Sequence, residues 1–542
     1  MKTERARLII DQQKREESQQ ANFRSLWQDT SDYILPMSSD ITTSEYPGVP
    51  RGVELFDITA ITDAYQMAAG LSQALIPPGQ HFFEIGTVDW SDSGNDENRR
   101  HLALATEITH EELVQSNFIE VLNEALIGDI VFGQLNMYSE FKNGGLNFKH
   151  HRAGMYQYLV GDEGRVHTMI LKFPLTALQA VKLWEDPGPS VLKAMEKPET
   201  QGKVFEFIHI VRPRENRNPT LTDNMNMDYE SIYVNIKDIW EIEEGGFRLF
   251  PYHVARWQKA SNEKYGRGIG TETLPQVKVL NHMMETFLEL GDKLCRPPRE
   301  ILSSFEGDVD TTPDGENFVA EMGSIKALDS GAIGNFATTE KMIEMQRDVI
   351  HKAFYKDVFA PLTDLTGDRR TTLEIRERIQ EGLRRLGPPI GRIWSELFDP
   401  MITRCIVLLY ENGKIPPLPA ELQGRLKIEY KGSMANALKS GEALAAREWI
   451  GLLTEMGASQ MWPNVTDVVD IDAAVRRIGH SLGVSIEDIA SEDEVEAKRA
   501  ERAAAMQLQQ QMQALEMAGK AYPGATKAPE AGSPAEALMG AG

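Results

Sequence analysis

Residues 272–295 read ETLPQVKVLNHMMETFLELGDKLC. Leu274, Val277, Leu280, Met284, Phe287 and Leu294 follow one another at steps of three, four and seven, which lays a single apolar stripe along an α-helix. At about 1.5 Å per residue that helix is roughly 36 Å long. Arg296-Pro297-Pro298-Arg299 then breaks it. Residues 299–337 are rich in Gly, Asp and Ser and read as a small unit of short strands. A second helix follows at 338–358, with Met342, Met345, Val349, Phe354 and Val358 apolar. Two long helices therefore bracket a small β-rich excursion. Beyond them, Pro361 to Thr371 reads as a loop, and another long helix starts at Thr372, bends at Gly387-Pro388-Pro389 and resumes to about Tyr410.

Outward from this core the chain is mixed. Residues 1–35 predict a charged helix whose later turns carry Phe23, Leu26, Trp27, Tyr33 and Ile34 on one side, ended by Pro36. Residues 57–76 predict a helix with Ile61, Tyr65, Ala69, Leu71 and Leu75 as its apolar face, then a short strand at 81–85. Residues 100–128 predict one long helix. From about 130 to 255, alternating runs such as Val204-Phe205-Glu206-Phe207-Ile208-His209-Ile210-Val211 sit between turns such as Asn143-Gly144-Gly145, which predicts antiparallel sheet with a helical insertion at 174–198. Leu426–Tyr430 reads as a strand. Helices are expected at 439–456, 471–482 and 492–519, and a disordered tail at 521–542. The expected class is α+β.

The chain has 542 residues, enough for three or four domains at roughly 150 residues each. Lys plus Arg number 57 against 81 Asp plus Glu, a net charge of −24. A protein that reads DNA sequence needs a basic face to neutralise phosphates, so this balance argues against that class. Cys295 and Cys405 stand far apart without CxxC partners, which excludes a disulfide framework or a cysteine zinc site and fits a reducing compartment. The charged first turns do not read as a signal peptide, and there is no apolar run of about 18 residues.

Catalytic signatures are missing. There is no GxxxxGK[ST] phosphate loop, no HExxH and no GxSxG elbow. Gly266-Arg267-Gly268-Ile269-Gly270 reads better as a tight turn that lets two elements approach than as a nucleotide loop. Asp310 to Glu321 has EF-hand spacing, but with Thr312 at its third position and strand-like flanks it reads as a surface turn. His150-His151 has no third ligand in view and reads as a solvated strand edge. No catalytic, cofactor-binding or metal residue is assigned. Arg369-Arg370 and the following Arg376, Arg378, Arg384 and Arg385 are basic spots in an acidic chain; Glu374, Glu377 and Glu381 stand at helical pairing distance from them, so local pairing is the plainer reading of spacing alone. The Met- and Gln-rich stripe at 506–517 suits a helix that packs against copies of itself.

From about residue 20 to 505 the ordered series of motifs resembles the head-to-tail connecting, or portal, proteins of short-tailed bacteriophages. It runs through Leu26-Trp27, Tyr33-Ile34-Leu35-Pro36, Asp57-Ile58-Thr59-Ala60, Leu75-Ile76-Pro77-Pro78 and Phe82-Phe83. The most specific piece is Pro251-Tyr252-His253-Val254-Ala255-Arg256-Trp257, then Glu263-Lys264-Tyr265-Gly266-Arg267-Gly268, Leu274-Pro275 and Lys278-Val279-Leu280-Asn281. Arg370-Thr371-Thr372-Leu373-Glu374-Ile375 stands where the family carries a methionine first, so Arg370 adds a charge, and Glu429 to Ala435 resembles the family's strand-to-helix entry.

The resemblance implies a portal fold: an N-terminal wing (1–270), stem helices (271–295 and 338–358), a clip (296–337), a tunnel loop (359–371), a long helix and wing return (372–436) and a helical crown or barrel (437–520). It implies a ring of about twelve copies at one capsid vertex of the virion, the subunit being made in the host bacterial cytoplasm. Double-stranded DNA would pass through the ring without sequence specificity. The implied partners are the terminase large subunit, tail adaptor proteins, the major capsid and scaffolding proteins and, at the crown, internal core or ejection proteins. Arg369 and Arg370 become candidates for the DNA channel. Arg299, Glu300, Glu306, Asp308, Asp310, Asp314 and Glu316 become candidates for clip docking. The rival readings are a helical scaffolding or adaptor protein, against which the sheet-rich 130–255 region stands, and a cytosolic metal-dependent hydrolase, for which no site is found.

Overall fold

The computed structural model describes residues 2–43, 48–52, 54–87, 96–218, 220–221, 223–295, 299–301, 303, 309, 325–327, 336–359, 382, 384–417, 426–431, 449, 451–452 and 492–521. The chain divides into two units, one of residues 1–86 and 100–438, the other of residues 87–99 and 439–542. The expected helices at 439–456 and 471–482 lie outside the described residues, save for helical backbone at 449, 451 and 452, and so does the expected tail beyond 521. In the second unit, α12 (Glu492–Ala521) is a 30-residue helix.

The first unit is α+β. Helix α1 (Lys2–Ile34) is a single 33-residue rod serving two cores. Its first turns put Ala6, Ile9 and Ile10 against Ile170, Ile208, Ile210, Ile232 and Val234 of a sheet, while Trp27 and Ile34 enter the main core. Arg5 fixes the first contact by pairing with Glu230 at 2.9 Å and Glu244 at 2.6 Å. Helix α2 (Thr59–Leu75) keeps Leu71 and Leu75 of the expected stripe in its buried face but completes that face with Ala60, Ala64, Met67 and Ala68, leaving Tyr65 and Ala69 exposed. The expected long helix at 100–128 is two, α3 (Asp96–Gln115) and α4 (Phe118–Phe132), interrupted at Ser116-Asn117.

Strand β1 (Phe83–Thr87) pairs with β12 (Leu426–Tyr430). Between them in sequence lie two antiparallel sheets. One has the order β3-β2-β9, from β2 (Gln134–Lys142), β3 (Gly145–His150) and β9 (Tyr252–Arg256), with Gln134 opposite Arg256 and Met137 opposite both His150 and His253. The other runs in sequence order: β4 (Tyr156–Val160), β5 (Val166–Thr176), β6 (Val204–Pro213), β7 (Tyr229–Asn235) and β8 (Trp240–Phe247). The insertion between β5 and β6 contains α5 (Ala177–Leu183) and α6 (Pro189–Met195), closing a small core around Trp184 and Phe207. Alternation holds at the start of β6 and then lapses: Phe207 to Val211 are buried without a break. β6 is the central strand, with α1 residues against Ile208 and Ile210 and other cores taking Phe207 and Val211, so no side of this stretch is left to water.

The histidine pair is not a solvated edge. His150 and His151 are half-buried; burial pushes them down to about 4 and about 3, and the His151 ring lies edge-on to Tyr138 and Tyr252. Among the described residues no group of three or more His, Cys, Asp or Glu is placed to hold a metal ion.

The glycine-rich turn is where sheet and helix meet. Gly133, at φ 85°, ends α4, and Trp257 donates its backbone N–H to the Gly133 carbonyl at 3.0 Å. A Cβ at Gly266 would stand 2.0 Å from that same carbonyl oxygen, and one at Gly268 would stand 2.5 Å from the Gly133 nitrogen. Only glycine permits this backbone-on-backbone approach, as the spacing predicts. Beside it, Arg256 closes a two-pronged pair on Glu396, with Nη2 to Oε1 at 2.7 Å and Nε to Oε2 at 3.1 Å. Glu396 stands on a π-helical turn (Ile393–Phe398) between α10 (Gly387–Arg392) and α11 (Asp399–Glu411). Gly266→Ala is expected to cost on the order of 3 kcal/mol, because backbone rather than a movable side chain must give way. Thermal melting of the variant should show a clear fall; an unchanged melting temperature would contradict the packing.

Candidate channel and docking elements

Helix α7 (Ile269–Cys295) leaves the glycine turn directly. Thr271 Oγ1 donates to the Gly268 carbonyl at 2.7 Å and Thr273 Oγ1 to the Ile269 carbonyl at 2.7 Å, which holds the first turns around Pro275. Burial then fades along the helix. Leu274, Val277 and Leu280 are buried; Met283, Met284 and Phe287 are half-buried; Leu288 is exposed. The apolar stripe read from the sequence is real: its root is buried, and Met283, Met284 and Phe287 farther along pack against the same core from half-buried positions.

Helix α8 (Phe336–Ala353) packs beside α7. Its buried side is Ile343, Ile350 and, just past its end, Phe354. Met342, Met345 and Val349, the residues that carry the sequence periodicity, are instead 53%, 63% and 49% exposed. The helix thus has two apolar stripes. One is satisfied internally and the other faces out; on α7, Val279 and Leu288 are exposed on opposite sides of the helix.

Polar contacts fix the roots of this pair to α1, α2 and the segment before α2. Asn281 accepts from the Phe56 N–H at 2.8 Å and donates to the Glu54 carbonyl at 3.1 Å. Lys278 pairs with Asp29 at 3.0 Å. Arg347 donates through Nη2 to Asp57 at 2.6 Å and through Nε at 3.0 Å, while the other Asp57 oxygen accepts the Thr59 N–H at the head of α2. Burial works against the charge on Asp57, yet the hydrogen bonds from Thr59 and Arg347 outweigh it and hold the carboxyl below its ordinary range. Asp63, buried on α2, takes His351 on one oxygen and Lys356 on the other. Sequence reading missed these acids. The signal available was Asp57 at the head of the predicted helix; Asp63, farther inside it, gave none.

Beyond α7, strands β10 (Arg299–Ile301) and β11 (Ile325–Ala327) form an antiparallel pair that sets Glu300 opposite Lys326. Arg299 and Glu300 are exposed on it. The other docking candidates, Glu306, Asp308, Asp310, Asp314 and Glu316, lie outside the described residues, as do Arg369 and Arg370 and the loop with EF-hand spacing. In the second unit, Met506, Leu508 and Met512 of α12 are also exposed.

A family model described as bacteriophage head to tail connecting protein matches residues 6–489. The chain is similar to a probable portal protein of Bordetella phage BPP-1, 25% identical over 519 residues that cover 94% of this chain and 93% of that protein. It is equally similar to a portal protein of Salmonella phage epsilon15, 25% identical over 521 residues with the same coverage. The chain belongs to the bacteriophage head to tail connecting family.

Arg347→Ala would strand the Asp57 charge in a buried position. After allowance for the partial exposure of Arg347, the expected loss is about 1–2 kcal/mol in denaturant unfolding. Adding Asp57→Asn should recover part of it, since the remaining group then carries no charge. Equal losses in the single and double variants would show that the pair contributes nothing.

Proposed function

We propose that this head to tail connecting protein acts as a portal, a ring of about twelve copies at one capsid vertex through which double-stranded DNA enters and leaves the head. The observation that carries the reading is the outward apolar stripe of Met342, Met345 and Val349 on a helix pair whose root is firmly packed. A stripe of this kind calls for a partner surface. A second copy of the chain, meeting it with a different face, gives a head-to-tail contact that closes into a ring. The names of the two similar phage proteins support the same reading.

In this arrangement residues 1–270 and 372–436 serve as wing, α7 and α8 as stem, and 296–337 as clip. Residues 359–371 serve as tunnel loop and 437–520 as crown, with the apolar side chains of α12 turned to neighbouring copies. The clip, with Arg299, Glu300, Glu306, Asp308, Asp310, Asp314 and Glu316, offers charged groups to the terminase large subunit and later to tail adaptor proteins. The wing meets capsid and scaffolding proteins, and the crown meets internal core or ejection proteins. The subunit is made in the host cytoplasm and ends in the virion. No covalent chemistry is assigned to it.

Charge fits passage rather than grip. With −24 per chain, twelve copies bring about −288. Cationic contacts with phosphate would retain DNA through counterion release, whereas an acidic wall lets it slide. Arg369 and Arg370 are the proposed exception, a local basic ring that centres or brakes the duplex.

Light scattering after gel filtration should find a species near 12 × 60.8 kDa, about 730 kDa, seen as rings with a central hole. Met345→Asp should shift it towards smaller species; a wild-type chain that stays monomeric or dimeric would overturn the reading. Changing both Arg369 and Arg370 to Ser is expected to alter packaged genome length or DNA retention, and unchanged values for both would remove these residues from the channel.

A further inference from the structure

A cleft of about 550 Å³ opens between the β4–β5 turn, the chain entering β9 and the π-helical turn that carries Glu396. That is room for a small ligand or for one long side chain. Part of its lining is apolar. Leu249, Val254 and Pro400 lie beside the rings of Tyr229, Phe250 and Tyr252, whose centroids follow one another at 5.3 and 6.1 Å. The Tyr252 hydroxyl is occupied by His209 Nδ1 at 2.7 Å, which leaves the ring as what this residue offers the cleft.

The charged part is lopsided. Asp162, Glu163, Glu396 and Asp399 line the cleft against Arg165 and Arg256. Arg256 is already spent on Glu396 and, through Nη2, on the Gly164 carbonyl at 2.8 Å. His167 shares its Nδ1 with the Thr168 hydroxyl at 2.8 Å. Asp162, Glu163 and Asp399 therefore face Arg165 alone. Asp162 and Glu163 are exposed on the turn and form no ion pair among the described residues. Asp57 and Asp63 each have a basic partner of their own, Arg347 for the first, His351 and Lys356 of the short helix α9 (Lys356–Phe359) for the second. Asp399 has none. One of its oxygens accepts from the Tyr430 hydroxyl, and Trp394 stacks on Tyr430 at 4.9 Å and 4°. The other oxygen has no hydrogen-bond partner among the described residues. Burial pushes this carboxyl up, and Tyr430 and Arg165 offset that only in part.

We propose that this cleft binds a primary alkylammonium group, with the ammonium between Asp399 and the Asp162-Glu163 turn, the methylene chain along Leu249, Val254 and Pro400, and the aromatic rings adding cation–π attraction. An anion would meet three acids, and a neutral chain would leave them unpaired. Two sources carry this chemistry, a free aliphatic polyamine and a lysine side chain of an adjoining chain. The assignment does not rest on the portal reading.

In a Cys295→Ser background, Thr403→Cys places a thiol in the lining; Cys405 can stay, since burial pushes its thiol up to about 12, out of the reactive range. Two thiosulfonate reagents of equal size are compared, one ending in ammonium and one in sulfonate. Exposed Cys295 of the wild-type chain gives the preference that the acidic surface alone imposes. The preference for the cationic reagent at position 403 should exceed that by about tenfold. Pentane-1,5-diamine should slow labelling there and hexanoate should not, and Asp399→Asn with Glu163→Gln should lower the preference to that of Cys295. Equal preference at both positions, or equal protection by the two competitors, would overturn the assignment. Ser395→Cys reports from the π-helical turn under the same criteria should Thr403→Cys fail to fold. Two analyses of the full chain then separate the sources. Acid release and amine chromatography recover a polyamine if the ligand is free; carbodiimide coupling joins Asp399 or Glu163 to a lysine of an adjoining chain if it is a side chain. Either result supports the site, and the absence of both would overturn it.

Discussion

Backbone meets backbone where Gly133 receives the Gly266-Arg267-Gly268 turn, and much else depends on that contact. It ends α4, starts β2, aligns β9 through the Trp257 N–H and launches α7. Glycine is required because the joint has no room for a Cβ, and the absence of side chains means that few torsions are left to soften it. The Arg256–Glu396 pair beside it ties in the helical run from Gly387 to Glu411. A long helix launched from such a joint inherits its direction; an error of a few degrees there would grow with distance along α7.

Much of this was legible in the sequence. The stripe of α7, the strands between 134 and 256, the tight role of the glycine turn and the strand Leu426–Tyr430 all follow from local periodicity and turn chemistry. What escaped is what periodicity does not encode. On α2, Ala60, Ala64 and Ala68 join Met67, Leu71 and Leu75 on the buried face, and alanines give too weak an apolar signal to mark it. The break at Ser116-Asn117 falls in a run with no glycine or proline to mark it. Asp63 looked like one more acid in an acidic chain, and only its burial under His351 and Lys356 sets it apart.

The candidate functional elements were less legible, for a related reason. Met342, Met345 and Val349 announced a helix correctly, yet the pattern does not say whether an apolar stripe is meant for the chain's own core or for another copy. Ile343 and Ile350, one position along from Met342 and Val349, supply the internal stripe. A helix with apolar groups on both sides reads from sequence as simply amphipathic with noise. Only three-dimensional burial separates the two faces. The family resemblance, by contrast, was visible early, because it rests on the order of short motifs and needs no decision about which face of a helix is covered.

The fading burial along α7 has a thermodynamic side. A helix segment that its own core covers only in part gains less from packing, and isolated helices of such length are marginal in water. Leu274, Val277 and Leu280 are buried within the subunit, its core covers Met283, Met284 and Phe287 in part, and Leu288 is exposed. If another copy covers the remainder, ordering of the distal stem and association of subunits become linked equilibria. The quantity of ordered stem then depends on protein concentration by mass action, as stability does in other obligate assemblies.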